Sequence, residues 1–318
     1  MCGIIGLRLK NPDLRPILGQ LAVPMVDVLA SRGPDSTGVA IYRHDVPPGA
    51  MKYSLSAPAD DYDWDGYLTA LAAAAGASAR ASAGASAGAA GGAAGGVSAE
   101  LRRKGRDAVL VTSLGPERVP GLLAETDPAV RLFGYGAAIE VYKDVGPAAE
   151  VCARYGVAGM AGYQAIGHTR MATESAVTTE HSHPFAVAAD LALVHNGSFS
   201  NYASVRRDLA DQGVRFDTDN DSEVAARYVA REMDAGADLA DALRGVLKAF
   251  DGFFTLLVTT ERSFAVVRDS FACKPMVVAE TPDYIAVASE YVALADLPGV
   301  EKARVFEPMP EEIYTWQE

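Results

Sequence analysis

Cysteine is scarce and odd in number: Cys2, Cys152 and Cys273, with no CxxC spacing. This excludes a disulfide framework and a cysteine-ligated zinc site, and it fits a reducing cytoplasm. The five histidines form no HExxH pair, so no metal centre is expected. Positive charge is also in short supply. Against 41 Asp and Glu there are 28 Lys and Arg, giving a net charge of −13, so nucleic acid and anionic membrane surfaces would be repelled. No basic start leads into an apolar run, and no leader is expected. The longest weakly apolar stretch is Ala and Gly with interspersed Ser and Arg80, too weakly hydrophobic to enter a bilayer. Gly134-Tyr135-Gly136 lacks the third glycine and the following helix that a dinucleotide loop needs.

What remains is an ordinary globular composition. Of 318 residues 49% are apolar and 22% charged, enough to bury a sizeable core in one large domain or two. Ile4, Ile5, Leu7 and Leu9 read as a buried strand at the start. Ile17 to Ala30 has helical spacing that Pro24 should kink or interrupt. The turn Ser31-Arg32-Gly33-Pro34-Asp35-Ser36-Thr37-Gly38 leads into a strand from Val39 to Tyr42. Further strands are expected at Val109–Thr112, Ala137–Tyr142, Tyr163–Gly167 and Asp190–Val194, and a short helix near Pro147–Tyr155. From about 71 to 98 the chain is almost entirely Ala, Gly and Ser; with no apolar face to dock, it reads as a mobile surface insertion. The acidic group Asp60, Asp61, Asp63 and Asp65 before it and the basic group Arg102, Arg103, Lys104 and Arg106 after it read as solvated faces.

The residue with the most chemistry is Cys2. Removal of Met1 would make it N-terminal, and one residue would then carry a thiol nucleophile and an α-amine able to act as its base, with ordinary pKa values near ~8.5 and ~8. Four polar clusters lie between apolar segments in the second half. They are Ile166-Gly167-His168-Thr169-Arg170-Met171-Ala172-Thr173, His181-Ser182-His183-Pro184-Phe185, Leu193-Val194-His195-Asn196-Gly197-Ser198, and Thr218-Asp219-Asn220-Asp221-Ser222-Glu223, which opens a helix. Arg170 offers a planar fork for a carboxylate and Asp221 a counter-charge for an ammonium, so together they would clamp an α-amino acid by both ends. Asn196 and the Gly197 N–H are the kind of donor pair that makes an oxyanion hole. The same residues have plainer readings: Arg170 and Asp221 as a structural ion pair, Asn196-Gly197 as a hairpin turn, His181 and His183 as surface loop residues, Asp221 and Ser222 as a helix cap.

The conjunction in order of Met-Cys-Gly-Ile, RGPDS-G, GHTR-AT, HSHP, HNG and DNDSE resembles the class II glutamine amidotransferases, N-terminal nucleophile hydrolases. The stretches FDGFFTLL, VRD with Lys274-Pro275, and VASE extend the resemblance over nearly the whole chain apart from the Ala/Gly tract and its flanks. It implies an α+β fold, a four-layer αββα sandwich of two mostly antiparallel sheets between helix layers, with residues 1–318 forming a single domain. It implies that Cys2 is the nucleophile at the end of a central strand, and that Asn196 and Gly197 form the oxyanion hole. Arg170, with Thr173 beside it, would bind the glutamine α-carboxylate, Asp221 the α-amino group, His183 the substrate pocket, and Arg32 would help close the site.

Family members usually continue into a second domain that uses the ammonia, whereas this sequence has neither a Walker-type loop nor an SGG-D pyrophosphatase motif. It therefore resembles the stand-alone amidotransferase subunits of glutamate synthase-like complexes, N-methylglutamate synthase among them. That implies L-glutamine as substrate, a cytoplasmic location, and an ammonia-accepting synthase subunit as partner, with no cofactor in this chain and flavin and an iron–sulfur cluster in the partner. Two other readings stay open: an N-terminal nucleophile hydrolase acting on a different amide, and a catalytically silent scaffold subunit.

Overall fold

A computed structural model describes residues 2–83, 99–172 and 176–317. Its centre is a seven-stranded sheet running, edge to edge, Arg304–Phe306, Val277–Glu280, Tyr284–Ala288, Gly3–Leu9, Gln164–Arg170, Ser36–Tyr42 and Ile139–Val145, every pair antiparallel. The first strand is thus the middle of this sheet. Facing it is a five-stranded antiparallel sheet in the order Ile313–Gln317, Ser263–Arg268, Gly252–Thr259, Leu191–Phe199 and Phe185–Ala188.

Alternation in the strands dictates the layers. Ile4, Ala40, Ile166 and Val287 point inward and meet Ala192, Val194, Leu257 and Phe264 of the other sheet in one buried core. Ile5, Leu7 and Leu9 point outward, beneath Met25 and Val26 of the helix Leu18–Asp27 and Val151 and Tyr155 of the helix Ala148–Tyr155. On the far side Leu193, Leu256 and Val258 pack against Val224, Ala225, Leu243 and Val246 of the helices Asp221–Asp234 and Leu239–Ala249. Both faces of each sheet are covered, which is why the first strand is apolar throughout except for Arg8. Arg8 is satisfied by Gln164 Oε1 at 2.6 Å and the Arg262 carbonyl at 3.0 Å. This is the four-layer αββα sandwich.

Pro24 sits inside the helix Leu18–Asp27, which continues only to Asp27, so the proline falls in its last turn. Between the strands Ser36–Tyr42 and Ile139–Val145 the chain builds a separate four-stranded antiparallel sheet, ordered Ala99–Lys104, Asp107–Thr112, Met51–Ser56 and Arg131–Gly136. Two helices, Trp64–Ala83 and Val119–Thr126, cover it around a core of Tyr53, Leu55, Trp64, Tyr67, Leu110 and Leu122. Here the structure departs from the expected undocked insertion: the helix carries the start of the Ala-rich tract, and Leu71 and Ala75 are buried in that core. Trp64, Tyr67, Leu71 and Ala75 recur at helical spacing and dock one face of the helix on the sheet. The rest of the tract, 84–98, lies outside the described residues.

The basic stretch is a solvated face only in part: Arg103 is exposed, whereas Arg102 and Arg106 are half-buried. Arg103 pairs with Asp65 of the acidic group, Arg102 with Asp45 at 2.6 Å, and Arg106 with the buried Asp144 at 2.7 Å. A buried cluster joins the inserted sheet to the central one. Lys52 Nζ donates to Glu140 Oε1 at 3.2 Å and Asp45 Oδ1 at 3.1 Å, while Arg43 donates to both Glu140 oxygens at 2.9 and 2.8 Å. Glu140 stays well ionised because Lys52 and Arg43 outweigh its desolvation, which by itself raises the carboxyl pKa.

Candidate active site

Strand ends from both sheets and one helix N-terminus converge on a single cleft, lined by Cys2, Arg170, Met171, His183, His195 and Gly197, and by Ser198, Tyr202, Asp219, Asn220, Asp221 and Ser222. Cys2 precedes the central strand and donates its thiol to the Met171 carbonyl at 3.8 Å. Arg170 ends the neighbouring strand, directly across from the Cys2 end of the first strand, where Gly3 pairs with Thr169. Its Nη1 donates to the Ala176 carbonyl at 3.0 Å.

The RGPD turn explains why these two ends are held together. Asp35 accepts the Ala172 N–H at 2.8 Å and donates its own N–H to the Arg170 carbonyl at 3.0 Å, gripping the chain on both sides of Met171. Arg32 Nε donates to the Cys2 carbonyl at 3.1 Å, and its guanidinium pairs with Glu290. Gly33 lets the turn lie flat on the strand, since a Cβ there would fall 2.3 Å from the Thr169 carbonyl atoms.

From the other sheet come Asn196 and Gly197. The strand does not stop at Val194 but runs to Phe199, with Asn196 opposite Thr255 and Gly197 opposite Phe254. Asn-Gly is therefore a paired strand segment here and not a hairpin turn. Gly197 has φ +150°, and a Cβ would fall 1.9 Å from the Phe253 carbonyl oxygen, so only glycine fits. Asn196 is 2% exposed, and its Nδ2 has no hydrogen-bond partner among the described residues.

Asp221 opens the helix Asp221–Asp234, with Asn220 as the N-cap accepting the Ser222 N–H at 2.9 Å. It does not cap. One oxygen accepts the Phe199 N–H at 3.0 Å and the other the Ser222 hydroxyl at 3.1 Å, which leaves the carboxylate on the cleft wall at the helix's positive end.

His183 is buried, lines the cleft, and stacks on His168 with ring centroids 4.0 Å apart; neither of its ring nitrogens has a partner among the described residues. Burial holds its pKa well below the usual histidine value, and burial likewise takes His168 down to about 3. His195, bonded to Ser222 Oγ at 2.8 Å, is also lowered by burial, with Asp221 pulling the other way. Two neutral imidazoles, His183 and His195, therefore line the cleft beside the side chains of Arg170, Asp219 and Asp221, with His168 stacked on His183. Burial raises the Cys2 thiol pKa, while the positive charges of Arg170 and Arg32 work against that rise.

Of the sequence-predicted residues, the structure brings Cys2, Arg170, His183, Gly197 and Asp221 to the cleft wall. Asn196 is buried next to Gly197, and Arg32 stands behind Cys2. Thr173 lies outside the described residues. Sequence reasoning did not single out Ser198, Tyr202 or His195 as cleft residues, although His195 and Ser198 flank the Asn-Gly pair on the strand. Nor did it assign Asp35 its grip on Ala172; a carboxylate inside a Gly/Pro turn was the available signal.

Comparison with known proteins agrees with this geometry. Residues 168–296 match a family described as a glutamine amidotransferase domain. The chain is 44% identical over 317 residues, 99% of its length and 98% of the relative's, to the glutamine amidotransferase-like protein GlxB of Rhizobium meliloti (strain 1021). It is 30% identical over 325 residues, 99% of both chains, to a putative glutamine amidotransferase of Methanothermobacter thermautotrophicus. In fold it resembles the glutamine phosphoribosylpyrophosphate amidotransferase of B. subtilis, with TM-score 0.60, 19% identity, and coverage of the whole chain and 47% of that enzyme, so it spans about half the enzyme's length. Near-complete alignment with two such relatives, together with this fold, settles the lineage: the chain belongs to the class II glutamine amidotransferases.

Proposed function

We propose that the chain is a glutaminase subunit that hydrolyses the side-chain amide of L-glutamine through a Cys2 thioester and supplies the ammonia to a partner synthase of the glutamate synthase type. The observation that carries this reading is the cleft itself. A thiol, Gly197 and an Arg170/Asp221 pair stand around one space sized for a small polar molecule, and next to Gly197 is the buried Asn196 amide, without a partner among the described residues.

In this reading Arg170 takes the α-carboxylate and Asp221 the α-ammonium, which points the side-chain amide at Cys2. With Met1 removed, the Cys2 α-amine accepts the thiol proton as sulfur attacks the amide carbon. The negative charge that develops on the carbonyl oxygen is taken by Asn196 Nδ2 and the Gly197 N–H, which need not give up a prior side-chain bond of Asn196 to do so. Collapse breaks the C–N bond, the protonated Cys2 amine returns its proton to the leaving nitrogen, and ammonia departs. Water then attacks the thioester and releases glutamate. His183 contributes a neutral, polar wall, since burial keeps it uncharged. Arg32 tethers the Cys2 carbonyl and so fixes the nucleophile's backbone. Thr173 stands beside Arg170 in sequence and completes the carboxylate end.

Ammonia is mostly protonated at neutral pH and then useless as a nucleophile, so a donor subunit of this kind works best docked on its acceptor. The acceptor we propose carries flavin and an iron–sulfur cluster and shares the cytoplasm with this chain. Among the described residues no helix is long and apolar enough to cross a membrane.

The direct test is intact mass of the purified chain before and after 6-diazo-5-oxo-norleucine, a glutamine-mimicking electrophile. The proposal requires loss of Met1 and a single adduct on Cys2 that excess glutamine blocks. An adduct elsewhere, or labelling of Cys2 that glutamine does not slow, would end it. Recovery of this chain alone from native cells would end the claim of a synthase partner.

A further inference from the structure

The segment Thr178–His183 makes one wall of the cleft through His183, and three residues before Thr179 the Ala176 carbonyl receives Arg170. The segment is not a strand or helix and has to be held from outside. Its internal bonds include the Ser182 N–H to the Thr179 carbonyl at 3.1 Å, the Ser182 hydroxyl to the Thr178 carbonyl at 2.9 Å, Thr178 Oγ1 with His181 Nδ1 at 2.8 Å, and the His181 N–H to Thr178 Oγ1 at 3.4 Å.

Its outer support comes from Asp219, whose Oδ1 lies 2.6 Å from His181 Nε2, from two neighbouring side chains of the strand Ile139–Val145, and from one residue at a turn of the inserted sheet. Lys143, buried beside the rings of Phe133 and Phe185, donates Nζ to the Ser182 carbonyl at 2.8 Å and the Glu180 carbonyl at 3.3 Å. Asp144, also buried, accepts the Thr179 hydroxyl at 3.0 Å and Arg106 Nη2 at 2.7 Å; the same Nη2 lies 2.9 Å from Thr179 Oγ1. Arg106 stands in the tight turn between Ala99–Lys104 and Asp107–Thr112, and its carbonyl is fixed by Trp64 Nε1 at 3.1 Å, inside the core of the inserted unit. Arg154 closes the far side of Asp144.

We propose that Arg106, Asp144 and Lys143 are positioning residues of the glutamine site, and that the inserted sheet, through Arg106, holds the Thr178–His183 wall in its binding-ready place. None of the three touches the cleft. They act through Thr179 and the Glu180 and Ser182 carbonyls, so their effect falls on binding and not on the chemical step. The kinetic half of this inference rests on the glutaminase reading above; the structural half does not.

The test uses the full chain with Arg106→Met, Arg106→Lys and Thr179→Val, the last removing the shared hydroxyl without burying an unpaired charge. Backbone hydrogen exchange and glutaminase kinetics are read on each. Losing one charge-assisted bond should raise KM for glutamine about tenfold in Arg106→Met and Thr179→Val, with kcat within about threefold of wild type. Amides of Thr178–His183 should exchange about tenfold faster while those of Gly3–Leu9 keep their protection. Arg106→Lys, which keeps a donor in reach, should recover part of both effects. Wild-type exchange in the segment for Thr179→Val overturns the proposal, and so does faster exchange with unchanged KM, or a fall in kcat at constant KM. A wild-type protein without glutaminase activity would count against the glutaminase reading, and exchange would still decide whether Arg106 holds the wall.

Discussion

Replacing Asn196 by Ala separates a catalytic donor from a structural one. In the resting protein Asn196 is buried on a paired strand, with Nδ2 making no hydrogen bond among the described residues. A buried unsatisfied amide donor costs about 1–3 kcal/mol, so removing it should leave stability unchanged or slightly raised, even after the loss of some packing. In the transition state the same group is asked to stabilise an oxyanion, and one such donor contributes about 100–1,000-fold in kcat, roughly 3–4 kcal/mol. Asn196→Ala should therefore keep its denaturation midpoint and its KM for glutamine while kcat falls by about two to three orders of magnitude. Glutamate release measured by a coupled assay, with urea melts on the same preparations, gives both numbers. A variant within threefold of wild-type kcat would show that Asn196 does not face the oxyanion. A large loss of stability would show that its amide is a structural bond, and the assignment would fall either way.

Asp221→Ala should raise KM by about 10–100-fold, the range for a charge-assisted bond to an ammonium, and the penalty should vanish for a glutamine analogue lacking the α-amine; an equal penalty on both substrates would refute its role. His168, held down to about 3 by burial, stays mostly unprotonated in the folded state above that pH, whereas the unfolded chain takes up a proton below about 6.5, so stability should decrease as the pH is lowered through that window. His168→Gln should flatten this acid slope by up to one proton in urea melts from pH 7 to about 4, and parallel slopes would mean that burial is not what depresses the imidazole. Gly33→Ala should destabilise by about 3 kcal/mol and disarm Cys2, because the new methyl meets backbone that cannot rotate away; a near-normal melt would mean the turn is looser than the geometry states.

Single strands were legible because apolar patterning is a local property, whereas the two-sheet sandwich came only from the resemblance. Ile4, Ile5, Leu7 and Leu9 announce a strand covered on both faces, and the polar clusters stand out because they interrupt such strands. What was not legible is what depends on pairing across the chain. Asn196-Gly197 carries a strong hairpin signal, yet the partner strand Gly252–Thr259 extends the ladder through it and overrides the local preference. The basic run from Arg102 to Arg106 looks solvated until the topology brings Asp45, Asp65 and Asp144 against it. Leu71 and Ala75 look undocked because the surface they cover is built from residues 40 positions downstream. The Arg170–Asp221 clamp was inferred from its chemistry; that both line one cleft is a fact of two sheets meeting, which no spacing in the sequence states.

That meeting of sheets also sets how exact the site can be. Cys2 and Arg170 belong to one sheet, Asn196, Gly197 and the helix of Asp221 to the layers on the other side, so the distance from Cys2 to the proposed oxyanion donors is fixed by how closely the sheets approach. Gly6, on the strand that follows Cys2, is one point of close approach between the sheets. A Cβ there would fall 2.6 Å from Leu257 Cδ2 and from Phe264 Cζ, the far ends of side chains on the opposing sheet. Those ends can yield, so Gly6→Ala should cost only about 1 kcal/mol, against the larger loss at Gly33 where the obstruction is backbone. The relief, however, comes by parting the sheets by tenths of an ångström, and a misplacement of that kind weakens an oxyanion bond more than it weakens a fold. Gly6→Ala should thus melt almost as wild type yet lose about tenfold in kcat at unchanged KM. If kcat holds while stability falls, the inter-sheet spacing is not what tunes the site, and the glycine serves packing alone.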